Sequence, residues 1–250
     1  MRAMILAAGL GTRLRPLTDS CPKALVEVAG RTLLEITFSR LRSFGVREVI
    51  INVHYFADMV CDYLKANRNF GMQIEISRED VLLDTGGGLK KAAYFFLSGS
   101  DPQAPFILHN VDILSTIDLA SMLRFHNENR ALATLAVQKR PSSRQLLFDE
   151  RLQLCGRRIG EEAAPEMAYS SQNAEPLAFS GIHVISPRLL KMITEDGVFS
   201  IIATYLRLAA QHETILAFRT DQYYWRDVGR PEDVAQATKD LQQTGYNVAG

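Results

Sequence analysis

The segment MILAAGLGTRLRPLTDSCPK, which runs from Met4 to Lys23, joins a short apolar strand to a glycine-bearing loop and two cationic residues. Gly9 and Gly11 have no Cβ atom, so the chain can turn sharply there and present backbone N–H groups to phosphate oxygens. Arg13 offers a planar guanidinium that fits phosphate, and Lys23 offers a mobile point charge. This order of elements predicts a loop that holds the phosphates of a nucleoside triphosphate.

Each part of this segment, taken alone, has a simpler interpretation: a buried strand, a tight turn and two solvated cations. Their order and spacing together favour phosphate binding.

A dehydrogenase fingerprint is disfavoured, because Leu14 stands where GxGxxG needs its third glycine. The next strand also ends in Asn52, which has no carboxylate for a ribose diol. A secretory leader is disfavoured because the residues GTRLRPLT follow the apolar run at once.

Short apolar runs alternate with amphipathic segments over the first 138 residues. Strands are predicted at residues 3–8, 49–53, 73–76, 105–109 and 132–137, and helices at 32–44, 57–66, 88–96 and 119–127. This order predicts an α/β fold of three layers, with helices on both faces of a mainly parallel, mixed sheet. Ligands bind such sheets beyond the carboxyl ends of the strands, where the glycine loop, the loop after Ile76 and Asp112 all fall.

The pattern changes after Gln138. Strand pieces are predicted within 140–160, a polar loop at 161–175, strands at 178–185 and 215–218, and helices from 186, at 199–210 and from 230. We expect a single domain over residues 1–245, divided into halves at 1–138 and 139–245.

Composition excludes several classes of partner. The 250 residues include 28 Lys+Arg and 28 Asp+Glu, so no net charge draws the chain to nucleic acid or to membranes. No apolar run approaches the ~20 residues that span a bilayer. The three cysteines are odd in number and show no CxxC spacing, and the five histidines show no metal-ligand spacing. We therefore expect a reduced, cytoplasmic protein without a zinc site.

Several motifs resemble those of one enzyme family. GLGTRLRPLT…PK is similar to the signature loop of the sugar-1-phosphate nucleotidyltransferases, and the likeness continues at residues 84–88, Asp112, 179–184 and 225–234. The short single-domain members are the most similar, including N-acetylmuramate-1-phosphate uridylyltransferases and mannose- or heptose-1-phosphate guanylyltransferases. The resemblance implies a Rossmann-like nucleotide-diphospho-sugar transferase fold, with 1–138 as the nucleotide-binding half and 139–245 as the sugar-binding half. It also implies that the left-handed β-helix domain of longer relatives is absent.

The activity that this resemblance implies is coupling of a nucleoside triphosphate to a sugar 1-phosphate, giving an NDP-sugar and pyrophosphate. Arg13, Lys23 and Asp112 are the expected catalytic residues. Asp112 and Asp227 are the expected ligands of Mg²⁺, which favours one or two carboxylates together with phosphate oxygens. One departure is notable: relatives usually have Gly-Asp where this chain has Val111–Asp112, and valine restricts the backbone.

The resemblance also assigns binding residues. For the nucleotide they are Leu6, Ala7, Ala8, Gly9, Gly11, Thr12, Arg13, Lys23, Thr85, Gly86 and Gly87. For the sugar they are Ser180 and Gly181, together with Arg158. Arg157 or Arg158 falls near the place of a lysine that holds the sugar phosphate in many relatives. UTP or GTP is the expected nucleotide, and thymidine and cytidine nucleotides stay open as alternatives. The sugar is left open, as is the choice between a monomer and a homo-oligomer.

Two other functions are compatible with this architecture. A metal-dependent glycosyltransferase binds similar ligands, but it normally has an Asp-x-Asp pair where this chain has Val111–Asp112–Ile113. A non-catalytic, regulatory relative typically lacks the metal carboxylates or the lysine, which this chain retains. The sequence therefore favours the enzyme.

Overall fold

The computed structural model describes residues 1–98, 101–160 and 162–243. The strands are β1 (Arg2–Leu6), β2 (Glu27–Val28), β3 (Arg31–Thr32), β4 (Glu48–Val53), β5 (Gln73–Arg78), β6 (Phe106–Asn110), β7 (Ile113–Ser115), β8 (Ala133–Gln138), β9 (Arg144–Phe148), β10 (Leu154–Ile159), β11 (Glu166–Met167), β12 (Glu175–Ile185), β13 (Ile215–Arg219) and β14 (Trp225–Asp227). The helices are α1 (Leu33–Ser43), α2 (Ala57–Ala66), α3 (Asp84–Lys91), α4 (Ala93–Leu97), α5 (Leu119–Glu128), α6 (Ile201–Ala210) and α7 (Pro231–Gln243). Short 3₁₀ turns lie at Thr12–Leu14, Lys23–Leu25, Arg68–Gly71 and Pro187–Met192. The expected domain end at residue 245 lies outside the described residues.

The central sheet confirms the predicted α/β fold. Strands β5, β4, β1 and β6 lie side by side and run parallel, with Ile5 of β1 paired with Ile51 of β4 and with His109 of β6. The long strand β12 pairs antiparallel with β6 and carries the sheet on to β8 and β9. The carboxyl ends of the four parallel strands therefore meet at one edge, where a ligand site is expected.

Apolar cores cover both faces of this sheet. Along β1, Ala3 and Ile5 belong to the core beneath α1, α2 and α5, while Met4 belongs to the core beneath α3, α4 and α6. This division follows from the alternation of side chains along a strand. A helix layer on each face explains why residues 3–5 of β1 and 49–51 of β4 are buried and apolar.

The helices begin and end where local chemistry favours it. The Thr32 side chain accepts a hydrogen bond from the Glu35 N–H at 3.1 Å and so caps α1, which ends before Gly45 with its φ of +79°.

Within residues 1–98, 101–160 and 162–243, no helix combines the length and the apolar character that a membrane span requires.

Several segments differ from the sequence-based expectation. The helix predicted at 88–96 is two helices, α3 and α4, which meet at Ala92, and α3 already begins at Asp84. Its early start is stabilised by the Phe199 carbonyl, which accepts a hydrogen bond from the Gly86 N–H at 2.9 Å. The polar loop predicted at 161–175 contains the short strand β11, which pairs with β10; Glu161 lies outside the described residues.

A small ribbon that sequence patterns missed lies beside the carboxyl end of β6. Strands β7 and β14 pair antiparallel, with Asp227 opposite Ile113. The Val228 N–H donates to the Asp112 carbonyl at 2.8 Å. The chain segments that carry Asp112 and Asp227 are therefore hydrogen-bonded neighbours, although these residues lie far apart in sequence.

Candidate active site

The glycine loop after β1 is fixed at both ends and open in its middle. The Leu6 carbonyl accepts from the Val111 N–H at 3.1 Å. At the far end, Gly11 adopts a φ of +64°, and the Thr18 hydroxyl donates to its carbonyl at 2.8 Å. A Cβ atom on Gly9 would have no neighbour within 4 Å. A ligand can therefore approach the backbone at Gly9 directly.

An open cleft of about 280 Å³ lies between this loop and the carboxyl ends of the parallel strands. Ten of the residues predicted from sequence line it: Leu6, Ala7, Ala8, Gly9, Gly11, Thr12, Arg13, Lys23, Thr85 and Asp112. The fold thus brings most of the predicted nucleotide-binding residues to one surface. Their roles in binding remain predictions.

Arg13, Lys23 and Asp112 line the cleft, and a second carboxylate, that of Asp227, lies next to Arg13 although Asp227 is not a lining residue. The Nζ atom of Lys23 lies 2.5 Å from Oδ2 of Asp112, and Lys23 is largely buried. Nη2 of Arg13 lies 3.8 Å from Oδ2 of Asp227. Gly229 borders this second pair closely, because a Cβ atom there would stand 3.0 Å from Nη2 of Arg13. The cleft therefore ends in alternating positive and negative groups.

Without a bound metal ion, the Asp227 carboxylate is in an unfavourable environment. Burial raises its pKa, and the negative charge of Asp112 raises it further, while Lys23 and Arg13 act in the opposite direction. Its Oδ1 atom is buried and has no hydrogen-bond partner among the described residues. An unpaired carboxylate oxygen beside a second carboxylate is a suitable ligand for a divalent cation.

These two carboxylates fit a divalent-cation site that is completed by a substrate. The described residues contain no group of three or more His, Cys, Asp or Glu side chains that could hold a metal ion. Mg²⁺ is commonly bound through one or two carboxylates, with substrate phosphates and water as its other ligands. Asp112 and Asp227 satisfy this requirement. The residues present therefore fit a divalent cation that arrives with phosphate groups.

Val111, where relatives usually have glycine, fits the local structure. Its side chain is 3% exposed and belongs to the apolar core, and its N–H is bonded to Leu6. The substitution therefore leaves Asp112 at the edge of the cleft.

Sequence reasoning missed a buried polar network in the wall of the cleft. Asn52 accepts a hydrogen bond from the Ala7 N–H and donates to Glu79, both at 2.8 Å. The other oxygen of Glu79 accepts from the Leu83 N–H at 2.9 Å. Asn52 lies near the end of β4 and Glu79 directly follows β5, so a search of strand ends for polar residues would have found both. Leu82, Asp84, Asn110, Val111 and Gly229 also line the cleft but were not predicted as site residues.

Gly86 and Gly87 do not line the cleft. A Cβ atom on Gly86 would lie 2.3 Å from the Phe199 ring, and one on Gly87 would lie 2.4 Å from the Gly197 carbonyl oxygen. Both N–H groups also bond to the Phe199 carbonyl, at 2.9 and 3.3 Å. The glycines therefore allow α3 to pack closely on the segment before α6. The sequence analysis had instead predicted that Gly86 and Gly87 bind the nucleotide.

The predicted sugar-binding residues lie around an irregular part of β12. Gly181 has a φ of +75°, and its Cβ position is 2.7 Å from the Ile113 side chain. Ser180 is fully buried, and its hydroxyl has no hydrogen-bond partner among the described residues. Arg158 lies on β10, donates to Gln145 at 2.6 Å and does not line the cleft. Sugar binding by these residues stays a prediction.

Sequence comparison identifies the family. The nucleotidyl transferase family profile matches residues 2–146. The N-acetylmuramate alpha-1-phosphate uridylyltransferase of Caulobacter vibrioides is 32% identical, over 92% of this chain and 92% of that protein. A mannose-1-phosphate guanylyltransferase of Mycobacterium tuberculosis is 30% identical over 96% of this chain but only 64% of its own length. The chain thus spans less than two thirds of this second relative.

Solved structures with low sequence identity share the fold. HddC from Yersinia pseudotuberculosis, solved with GMP-PN, superposes with a TM-score of 0.74 at 22% identity, over 96% of this chain and 99% of that one. A UDP-glucose pyrophosphorylase from Acinetobacter baumanii gives a TM-score of 0.78 at 18% identity, over 97% and 94%. The profile match and the identity to the full-length Caulobacter relative carry the assignment: this chain belongs to the nucleotidyl transferase family, among its sugar-1-phosphate nucleotidyltransferases.

Proposed function

We propose that this protein couples a nucleoside triphosphate to a sugar 1-phosphate, giving an NDP-sugar and pyrophosphate, with Mg²⁺ as its cofactor. The observation that carries the proposal is the pairing of Lys23 with Asp112 and of Arg13 with Asp227 at the end of an open glycine loop. Cations that can bind phosphates and carboxylates that can bind a metal stand side by side. A polyanionic substrate and a divalent ion can therefore enter the same site.

In the proposed reaction, an oxygen of the sugar phosphate attacks the α-phosphorus in line, and the bond from the α-phosphorus to the β-phosphate oxygen breaks. Pyrophosphate leaves with that oxygen, so no covalent bond to the protein is required. Arg13 holds the β- and γ-phosphates and balances the charge of the leaving pyrophosphate. Lys23 contacts the α-phosphate, where negative charge builds up in the transition state.

Asp112 and Asp227 would hold the Mg²⁺ ion. When bound, the ion offsets negative charge on the phosphate oxygens around the reacting phosphorus. The backbone of the glycine loop positions the triphosphate, because two polyanions must be held together for the reaction to proceed. Asn52 and Glu79 keep that loop in place through Ala7 and through the segment before α3.

UTP is the first nucleotide to test and N-acetylmuramate 1-phosphate the first sugar. The Caulobacter relative that is named for this pair matches nearly the full length of this chain. GTP with a mannose or heptose 1-phosphate is the second pair. We place the reaction in the cytoplasm, where Cys21, Cys61 and Cys155, which form no disulfide, would stay reduced.

A coupled assay tests this function. The purified protein is incubated with Mg²⁺, each of four nucleoside triphosphates and a panel of sugar 1-phosphates, and pyrophosphate is measured. Release that requires both substrates and the metal is the expected result. Pyrophosphate release without a sugar phosphate, or no release with any pair, would contradict the proposal. Transfer of sugar from a ready-made nucleotide sugar would indicate a glycosyltransferase instead.

A further inference from the structure

Arg140 lies near Asp227, just outside the residues that line the cleft, and has no role in the reaction described so far. Its guanidinium carbon stands 3.7 Å from the centre of the Trp225 ring, and its Nη2 donates to the Phe179 carbonyl at 2.8 Å. Trp225 in turn donates through Nε1 to the Ser180 carbonyl at 2.8 Å. The stacked pair therefore holds the irregular part of β12 against β14, the strand that ends at Asp227.

The charge of Arg140 is poorly compensated. Asp227 is the carboxylate that acts on it, but the ion-pair partner of Asp227 is Arg13, at 3.8 Å. The Nε atom of Arg140 is buried and makes no hydrogen bond within the described residues, and burial lowers the pKa of the guanidinium. Arg157, by contrast, is neutralised by Glu166 at 2.6 Å. A desolvated guanidinium with an unused N–H favours an incoming anion.

Unpaired polar atoms lie on the chain segments next to Arg140 and Trp225. Oδ1 of Asn110, the hydroxyl of Ser180 and Oδ1 of Asp227 are buried and have no partner among the described residues. Asn110 lines the cleft, and its Nδ2 lies 3.1 Å from the Cβ position of Gly181, the residue after Ser180. Buried polar atoms in proteins are rarely left unbonded. Two acceptor oxygens and one hydroxyl near an unused guanidinium N–H suit a ligand that combines hydroxyl donors with an anionic group.

We propose that Arg140 binds the phosphate of the sugar 1-phosphate, with Asn110 in reach of the sugar. This inference rests on the proposed function. It assigns to the segment between β8 and β9 a role that sequence analysis gave to Arg158 on β10. The planar guanidinium can bond a phosphate through more than one N–H while its face stays on Trp225.

The single tryptophan of the chain provides a direct readout. Trp225 fluorescence is titrated with each sugar 1-phosphate of the panel, with and without the α,β-methylene analogue of the nucleoside triphosphate. We expect a saturable change in the wild-type protein. In Arg140→Gln, the affinity for the sugar 1-phosphate should fall about 10- to 100-fold, as expected for the loss of hydrogen bonds between charged groups. Arg144→Gln, which changes an exposed arginine at the start of β9, should keep the wild-type affinity.

Kinetics separate binding from a structural role. With the best substrate pair, Arg140→Gln should raise KM for the sugar 1-phosphate at least 10-fold and change KM for the nucleotide less than threefold, and Arg140→Lys should recover only part of the loss. Equal losses for both substrates would show that Arg140 only supports β12 and would overturn the inference. So would wild-type affinity in Arg140→Gln, or the expected loss appearing in Arg158→Gln instead. If the wild-type protein releases no pyrophosphate, the proposed function itself is contradicted. That result is distinct from a failure of the role proposed for Arg140.

Discussion

The Nζ atom of Lys23 lies 2.5 Å from Oδ2 of Asp112, and both side chains are largely shielded from solvent, with 10% and 22% of their surfaces exposed. A cation suited to phosphate is thus paired with a carboxylate suited to a metal ion. Arg13 and Asp227 repeat this relationship at 3.8 Å. We expect substrate and metal to separate each pair, because the cations gain phosphates as partners and the carboxylates gain the divalent ion.

Asp227→Asn should abolish activity without destabilising the fold. The loss in kcat should be at least about 100-fold, because a metal ligand that offsets transition-state charge is removed. Burial and Asp112 both raise the pKa of Asp227, so its negative charge is unfavourable in the metal-free protein. The thermal midpoint should therefore stay the same or rise, as calorimetry would show.

The exposed Asp62 provides a matched control, since Asp62→Asn changes the same group on a surface helix. Asp62→Asn should retain wild-type kcat. Mg²⁺ together with the nucleotide should raise the thermal midpoint of the wild type but not that of Asp227→Asn. If Asp227→Asn keeps most of the wild-type kcat, this carboxylate does not hold the metal.

Arg13→Lys should lower kcat/KM for the nucleotide about 10- to 100-fold, although it preserves the charge. Lysine cannot reproduce the planar fork that contacts two phosphate oxygens. The Arg13 side chain is 61% exposed, so the free energy of unfolding should change by less than about 0.5 kcal/mol. Arg15→Lys, in the same loop and 69% exposed, is the control and should behave as wild type. Steady-state kinetics that leave Arg13→Lys near wild type would rule out the bidentate role.

Gly9→Ala should separate ligand binding from folding. No atom of the protein lies within 4 Å of the added methyl group, so the fold should keep or slightly gain stability. The methyl group would instead occupy space beside the backbone where phosphates are expected, and KM for the nucleotide should rise about 10-fold. Unchanged nucleotide kinetics would argue against close approach of the ligand to this loop.

Gly87→Ala should show the opposite behaviour. Its methyl group would lie 2.4 Å from the Gly197 carbonyl oxygen, a backbone atom that cannot move aside alone. Such overpacking should lower the free energy of unfolding by about 1–3 kcal/mol. Urea denaturation measures the change. Stability equal to that of the wild type would contradict close packing of α3 against the Gly197 carbonyl.

Asn52→Leu should be strongly destabilising, because Asn52 is buried and its side chain joins the glycine loop to Glu79. It leaves the Ala7 N–H and one Glu79 oxygen without their partners, and each unpaired buried group costs about 1–3 kcal/mol. Asn129→Leu, at an exposed position, serves as control. Urea unfolding of the two variants should differ by at least about 2 kcal/mol. Equal stabilities would show that the network around Asn52 contributes little.

Three buried histidines should make the protein acid-sensitive. Burial lowers the pKa of His109 and His126 to about 4 and that of His183 to about 3, from an ordinary value of 6.5. Below pH 6.5 the unfolded chain binds protons that the folded protein excludes, so stability is complete above that pH and declines as the pH falls toward 4. The slope should approach about 1.4 kcal/mol per pH unit for each histidine.

Urea unfolding between pH 7 and pH 5 measures this slope. The range stops at pH 5 because Glu195, whose pKa is lowered to about 2 first of all by its hydrogen bond to Arg207, adds its own dependence at lower pH. His126→Gln should reduce the slope, whereas His212→Asn on the surface should leave it unchanged. Stability independent of pH over this range would mean that the histidines are accessible to protons in the folded state.

Local chemistry made much of this fold predictable. Strand β1 and helix α2 follow from apolar periodicity, and the glycine loop follows from a segment whose residues are neighbours in sequence. Asp112 could be placed because it directly follows a strand whose end faces the ligand edge. These inferences depend on short-range order, which sequence patterns record.

The rest depends on contacts between distant segments. The hydrogen bond from Asn52 to Glu79 and the pairing of β7 with β14 arise only when the chain is folded. The glycines at 86–88 illustrate the difficulty: ligand approach and close packing against Phe199 require the same absence of a side chain. Arg140 was missed for a similar reason, since nothing near it in sequence indicates that Trp225 will lie beneath it.

Transfer of an α-³²P label from the nucleotide tests the central claim most directly. The wild-type protein, Mg²⁺, the labelled nucleoside triphosphate and the sugar 1-phosphate are mixed and separated. We predict that the label appears in the NDP-sugar with unlabelled pyrophosphate released, and that neither product forms with Asp227→Asn or without the metal. Label that stays in the triphosphate, or that becomes attached to the protein, would contradict a direct transfer held by Arg13, Lys23 and the two carboxylates.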